Sequence, residues 1–236
     1  MLKSLEIGDW ASSGDIAYFL AHLVIPGTAK RCIWGKDLKY LSSILFPVDP
    51  GTARTLGRGW DIDVRQVNFT AAKGQNMIGI YNHAVFIQGG FNFLSIYPLF
   101  RDHPRIFERV EKLCLTPAVA EAALTADEYR LIFATLPNVQ HLSMFDMDVS
   151  LIFQALGLFE ILTPHDVPFP ELKAITIRYS RSKGHLDATS PTRDFLGNKY
   201  KLSPLSIVLG LVKLSQQRAA IGCPLTTLLL IFKLDI

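Results

Sequence analysis

Charge is scarce in this chain. Asp, Glu, Lys and Arg supply only 19% of its 236 residues against 49% hydrophobic, and mean hydropathy is +0.25. Such a balance is apolar for a globular protein. It fits strands buried on both faces, or a surface kept for a partner. The net charge of +3 is too small to argue for nucleic acid, and no nucleic-acid partner is expected. Cysteine is sparse as well. Cys32, Cys114 and Cys223 are far apart, odd in number and without a CxxC, which argues against a disulfide framework or a zinc site. Each falls in or beside an apolar phrase, where a thiol acts as a small buried hydrophobe. A reducing, intracellular setting, cytoplasmic or nuclear, is the expectation. Long apolar runs are missing too. Residues 151–162 and 205–214 are interrupted by Gln154, Glu160 and Lys213 and fall short of the roughly 18 residues of a membrane helix. The N-terminus, MLKSLEIGDW, has no apolar signal core.

Patterns that carry chemistry are equally thin. The histidines are His22, His83, His103, His141, His165 and His185, and none makes HxxxH or HExxH spacing, so no helical metal site is encoded locally. His165-Asp166 sits in a Pro-flanked turn, where Asp serves the backbone. No GxSxG elbow places a nucleophilic serine. Gly57-Arg58-Gly59 and Gly89-Gly90 match neither a Walker A loop nor GxGxxG and read as turns. Phe91, Phe93 and Tyr97 could stack on bases, but no Lys or Arg lies between Lys73 and Arg101 to meet phosphates, so core is the better reading. No catalytic, cofactor-binding or metal-binding residue is expected, and the chain reads as a non-enzyme.

What is present is a repeated phrase. Leu136-Pro-x-Val139-x-x-Leu142-x-Met144 returns as Phe169-Pro-x-Leu172-x-x-Ile175-x-Ile177, with an apolar helical run between. A strand phrase, a helix and the phrase again 33 residues later is the pattern of a stacked α/β repeat. A third full copy is Phe107/Val110/Leu113/Leu115. Shorter matches occur at Leu2/Leu5/Ile7, Ala29/Cys32/Trp34, Val64/Val67/Phe69, Phe91/Leu94/Ile96 and Leu225/Leu228/Leu230. At this apolar content, about one window in eight matches three positions by chance, so only the full copies decide anything.

Helix signals separate the copies. Ser12-Ser13-Gly14-Asp15 can open a helix with Ile16, Phe19, Leu20, Leu23 and Val24 on one face, closed by Pro26-Gly27. Thr125-Ala-Asp-Glu128 is a capping box before Tyr129, Ile132 and Phe133. Asp148 can cap a helix carrying Ile152, Ala155, Leu156 and Phe159. Ser203-Pro204 opens a fourth, with Leu205, Val208, Leu209 and Val212 as its stripe, Arg218 complementing its C-terminal end and Gly222 as its stop. Residues 47–63 read as an irregular loop, and MIGIY, AVFIQ and FNFLSIY within 77–97 as short consecutive strands. Residues 179–202 form a polar insertion. Between positions 178 and 201, six basic residues face two acidic ones, which suits a solvated loop or a contact for an acidic partner.

These residues resemble the leucine-rich-repeat portion of F-box proteins, of the divergent type abundant in mushroom-forming fungi. Leu2-Lys-Ser-Leu5-Glu-Ile7 running into Phe19-Leu20-Ala-His22-Leu23, the stretch from Leu131 to Leu142, and Phe169-Pro-Glu-Leu172 with Arg218-x-x-x-Gly222-Cys223-Pro224-Leu225 carry the resemblance. It implies substrate recognition for a ubiquitin ligase. Two departures stand out. The usual Asn after the last strand leucine is replaced by Trp10, Met147 and Ser180. The F-box is not in this sequence, so docking on a Skp-type adaptor is expected only if an F-box exists upstream.

The expectation is therefore a single α/β domain over 1–236, a short irregular leucine-rich-repeat solenoid with strands on one side and helices on the other. Its function would be non-catalytic binding of a protein partner through the strand side and the following turns, where Trp10, Trp34 and Trp60 fall. A truncated or decayed fragment, and an α/β enzyme with a deep pocket, are the alternatives. Binding predicts an exposed patch of aromatic and charged residues on the strand side.

Overall fold

The computed structural model describes residues 3–7, 30–35, 65–72, 75–81, 85–90, 93–102, 104–116, 124–145, 147, 149–158, 160, 163, 166–180 and 204–233. The helix expected over 12–25, the loop 47–63, the insertion beyond Ser180, Asp148, Phe159, Ser203, Trp10 and Trp60 lie outside the described residues.

The chain is mixed α/β. Strands β1 (Ser4–Ile7), β2 (Lys30–Gly35), β3 (Gln66–Ala72), β4 (Gln75–Tyr81) and β5 (Val85–Gly90) precede helices α1 (Phe93–Asp102) and α2 (Pro104–Phe107). Then come β6 (Lys112–Leu115), α3 (Ala126–Ala134), β7 (His141–Phe145), α4 (Ser150–Ala155), β8 (Ala174–Ser180), α5 (Pro204–Ala220) and β9 (Thr227–Lys233). Among the described residues the strands form one nine-stranded sheet in the order β1-β2-β5-β4-β3-β6-β7-β8-β9. β4 runs antiparallel to both its neighbours, and every other pair is parallel. Hairpin strands β4 and β5 are thus inserted between β2 and β3, and α1 and α2 carry the chain back to β6 on the far side of β3.

From β3 onward the pairing is regular. Val67, Leu113, Leu142, Ile175 and Leu228 stand abreast, and so do Phe69, Leu115, Met144, Ile177 and Leu230. The backbone repeats with the side chains. The carbonyl of Arg65 accepts the N–H groups of Glu111 and Lys112, and that of Glu111 accepts from Gln140 and His141. Gln140 receives Lys173 and Ala174 in the same way, and Lys173 receives Thr226 and Thr227, all at 2.8–3.1 Å. A matching turn precedes three of these strands: Val110 donates to Phe107, Val139 to Leu136 and Leu172 to Phe169. One local geometry therefore recurs wherever the phrase does.

The physical content of the phrase is burial. All twelve apolar residues of its three full copies are buried, and they join one core with Ile96, Leu99 and Phe100 of α1, Phe133 of α3, Phe153 of α4 and Leu211 of α5. Each such side chain contributes about 1.5–3 kcal/mol on leaving water. Aromatic edges knit the layers, with Phe100 against Phe69 and Phe107 and Phe133 against Phe169 at 4.4 Å.

The helices begin and end for identifiable reasons. Thr125 and Glu128 of α3 make the reciprocal capping box that the sequence predicts, and Tyr129, Ile132 and Phe133 face the core. α4 has Val149 as its N-cap, with no side-chain bond. Gly157 (φ 82°) and Gly222 (φ 81°) close α4 and α5 in the left-handed conformation that glycine adopts without penalty. After each, the next N–H reaches back to the third residue from the helix end, Leu158 to Phe153 and Cys223 to Arg218. This is why α4 stops at Ala155.

Three expectations are corrected. Phe91/Leu94/Ile96 is no strand phrase, because Phe93–Asp102 is helix: Ile96, Leu99 and Phe100 fall at helical spacing in the core while Leu94 is 82% exposed. In α5 the buried stripe is Ile207, Leu211, Leu214 and Arg218, whereas Leu205, Val208, Leu209 and Val212 are exposed. Both faces are apolar at helical spacing, so the pattern does not choose between them. In β2, the partners of Leu5 and Ile7 are Arg31 and Ile33, not Cys32 and Trp34. The match there is one residue out of register, which turns it to the other face.

Tyr129 offers a test of the α3 packing. Burial, and secondarily the neighbouring Glu128, push its phenol up to about 12, against about 10 in an unfolded chain. The stability this contributes is fully present below pH ~10 and is lost as pH rises through the folded value. Thermal melts of Tyr129→Phe should therefore lack part of the alkaline decline of the parent chain. Identical profiles above pH ~10 would remove the argument.

Candidate interaction surface

The two faces of the sheet differ. In β6 and β7, alternate residues are buried and solvent-accessible, so the helix layer covers one face and the other is open in these strands. Strands buried on both faces, one way to account for the composition, are not what β6, β7 and β8 show.

On the open face a polar row crosses the strands. Asn68, Cys114, Ser143 and Thr176 stand abreast and end at Leu229. The Gln66 amide donates to Asn68 at 2.8 Å and contacts the Cys114 sulfur at 3.6 Å. Cys114 is not the buried hydrophobe expected of it. It is half-buried on this face, and burial pushes its thiol up, outweighing Lys112 and the Ser143 hydrogen bond, both of which pull it down. A protonated thiol is a poor nucleophile. Cys32 and Cys223 are likewise half-buried and unbridged.

One row further on, Phe145 and Arg178 are direct register partners, and the Arg178 guanidinium carbon lies 5.6 Å from the Phe145 ring centroid. Ile231 stands on the other side of Arg178. Arg178 is exposed and Phe145 half-buried. An aromatic ring and a cation thus meet on the strand side. The two residues occupy the same place, nine positions into the two central copies of the phrase, so aligning the copies would have paired them. Lys112 and His141, both exposed, pair in register nearer the start of β6 and β7. The other five histidines lie outside the described residues. Trp34 is in β2, away from this region.

The turns at the strand ends are tied from repeat to repeat. The Asn138 amide donates to the Glu108 carbonyl at 2.7 Å, and the Tyr179 hydroxyl donates to the Met147 carbonyl at 3.1 Å. In the turn after β7, where the expected asparagine is Met147, a tyrosine from the next strand takes over the bond to the backbone. Arg130 of α3 reaches both the Gln154 carbonyl and Glu160 beyond α4, which ties adjacent helices.

Behind the sheet, Arg218 is fully buried. Its guanidinium donates to the carbonyls of Pro168 (3.0 Å) and Phe169 (2.7 Å), while its Nε has no partner among the described residues. Burial pulls its pKa down, and Cys223 partly offsets this. Among the described residues no carboxylate pairs with it. Rather than complementing the end of its own helix, as the sequence suggests, it clamps the turn that feeds β8. Among the described residues no group of three or more His, Cys, Asp or Glu gathers to hold a metal, and no helix is long and apolar enough to cross a membrane.

Comparison with known proteins returns no matching family model, no matching curated protein and no matching solved structure.

Proposed function

We propose that this chain is a non-catalytic protein-binding module whose β6–β9 region is a leucine-rich-repeat array, similar to the substrate-recognition repeats of F-box ubiquitin-ligase subunits. The observation that carries this reading is the in-register parallel ladder, in which β6, β7 and β8 have one face in the core and the other open and β9 continues the register. Stacked repeats bury one another's apolar faces and leave an extended strand surface for a partner. The open face holds groups that mark binding surfaces: an aromatic ring and an arginine beside it.

The test compares two surface variants of the full chain. Thr176→Arg places a long cation in the middle of the open face, and Leu131→Arg does so on the solvent side of α3. Proteins captured by the parent chain should fall about tenfold with Thr176→Arg, a loss typical of a disrupted interface centre, and stay level with Leu131→Arg. Equal capture by both variants would show that the open face is not the binding surface. A Skp-type adaptor among the captured proteins would point to a role in ubiquitin transfer.

A further inference from the structure

On the reading that the open sheet face binds a protein, we infer that its focus is the Phe145–Arg178 pair and that the partner is an acidic, apolar protein segment. A guanidinium within about 6 Å of a ring centroid is drawn to the ring face, and Phe145 so restrains Arg178. Arg178 is exposed and, among the described residues, is paired with no carboxylate. A pre-oriented fork of this kind matches a carboxylate bidentately.

Charge and polarity around the pair select the partner. By register, the open-face positions of β6 to β9 hold Lys112, Arg178 and Lys233, and no Asp or Glu. Beyond Arg178 the face turns apolar, with Ile231 beside it and Leu229, 46% exposed, beside Thr176. A segment carrying Asp or Glu next to a large apolar side chain would satisfy both halves at once. Nucleic acid fits less well, because its affinity grows with each phosphate neutralised and this face has only three full cations, spread over its register positions beside exposed leucine.

A random peptide library displayed on phage and selected on the full chain tests this. Enriched sequences should carry Asp or Glu beside Leu, Ile or Phe. A synthetic peptide of the enriched sequence should bind the parent chain and lose at least about tenfold in affinity to Arg178→Gln and more to Arg178→Glu. Exchanging its acid for Lys should restore binding to Arg178→Glu, which loss of folding cannot imitate. Phe145→Leu should weaken binding while leaving the melting transition in place. Enriched peptides that Thr176→Arg displaces but that show no acidic bias, or that ignore Arg178→Glu, would overturn this inference and leave the binding face standing. Selection yielding no peptide sensitive to Thr176→Arg would overturn both. Tighter, Arg178-dependent binding of a single-stranded DNA oligomer would overturn the choice of a protein partner.

Discussion

Replacing Arg218 with alanine is expected to destabilise the chain by about 3–5 kcal/mol, read as a lower denaturation midpoint in urea. Two terms oppose each other here. A buried cation without a carboxylate costs several kcal/mol in lost hydration, and a well-packed apolar substitute often does no harm. However, the guanidinium also serves two buried carbonyls: that of Pro168 would be orphaned, at about 1–3 kcal/mol, while that of Phe169 keeps the Leu172 N–H. Phe169 sits at φ 52°, a left-handed conformation that costs a side-chain-bearing residue roughly 1–2 kcal/mol. It holds its place because its ring packs on Phe133 and its carbonyl is taken. Alanine loses both bonds and leaves a cavity, so the loss should exceed the relief. Arg218→Met separates the two effects, since it fills the space without the donors. It should fall between alanine and the parent chain. Stability equal to the parent would mean that the bonds only repay the desolvation of the charge.

Arg218 also shows where the sequence stops being legible. Its place near the end of a helix suggests a dipole partner, and nothing local reveals a turn 50 positions earlier reaching into the same core. The phrase was readable because each apolar position has one physical job, repeated, and Leu142 and Ile175 do meet as the phrase implies. The capping box at Thr125 was readable because it is satisfied within four residues. Periodicity failed where two answers fit. α5 is apolar on two faces, and the choice fell to packing into the common core, which Ile207, Leu211 and Leu214 join. Near Phe91 a chance match imitated the strand phrase inside a helix. The insertion of β4 and β5 between β2 and β3 is a long-range pairing that no short pattern encodes. The cation–aromatic pair on the open face depends on register, which becomes visible only when Phe145 and Arg178 are set side by side.

Replacing Leu142 with alanine should cost about 3–5 kcal/mol, whereas Leu228→Ala should cost about 1 kcal/mol or less. The two leucines hold equivalent places in the ladder, both abreast of Ile175. What differs is their neighbours. Leu142 lies between strands on both sides and is fully buried, so its removal leaves a closed cavity. Leu228 is on the last strand of the sheet and is 40% exposed, so water can enter the space it vacates. In a stacked array, stability is close to a sum of repeat and nearest-neighbour terms, and weakening the middle should uncouple the two ends. Amide exchange in Leu142→Ala should therefore accelerate in β6 and β8 together with β7, while Leu228→Ala should speed exchange in β9 and the end of α5 and leave β6 near its parent rate. Equal losses from the two variants, or uniform acceleration over the whole sheet in both, would mean that the unit folds as one block. That would count against reading the ladder as repeats.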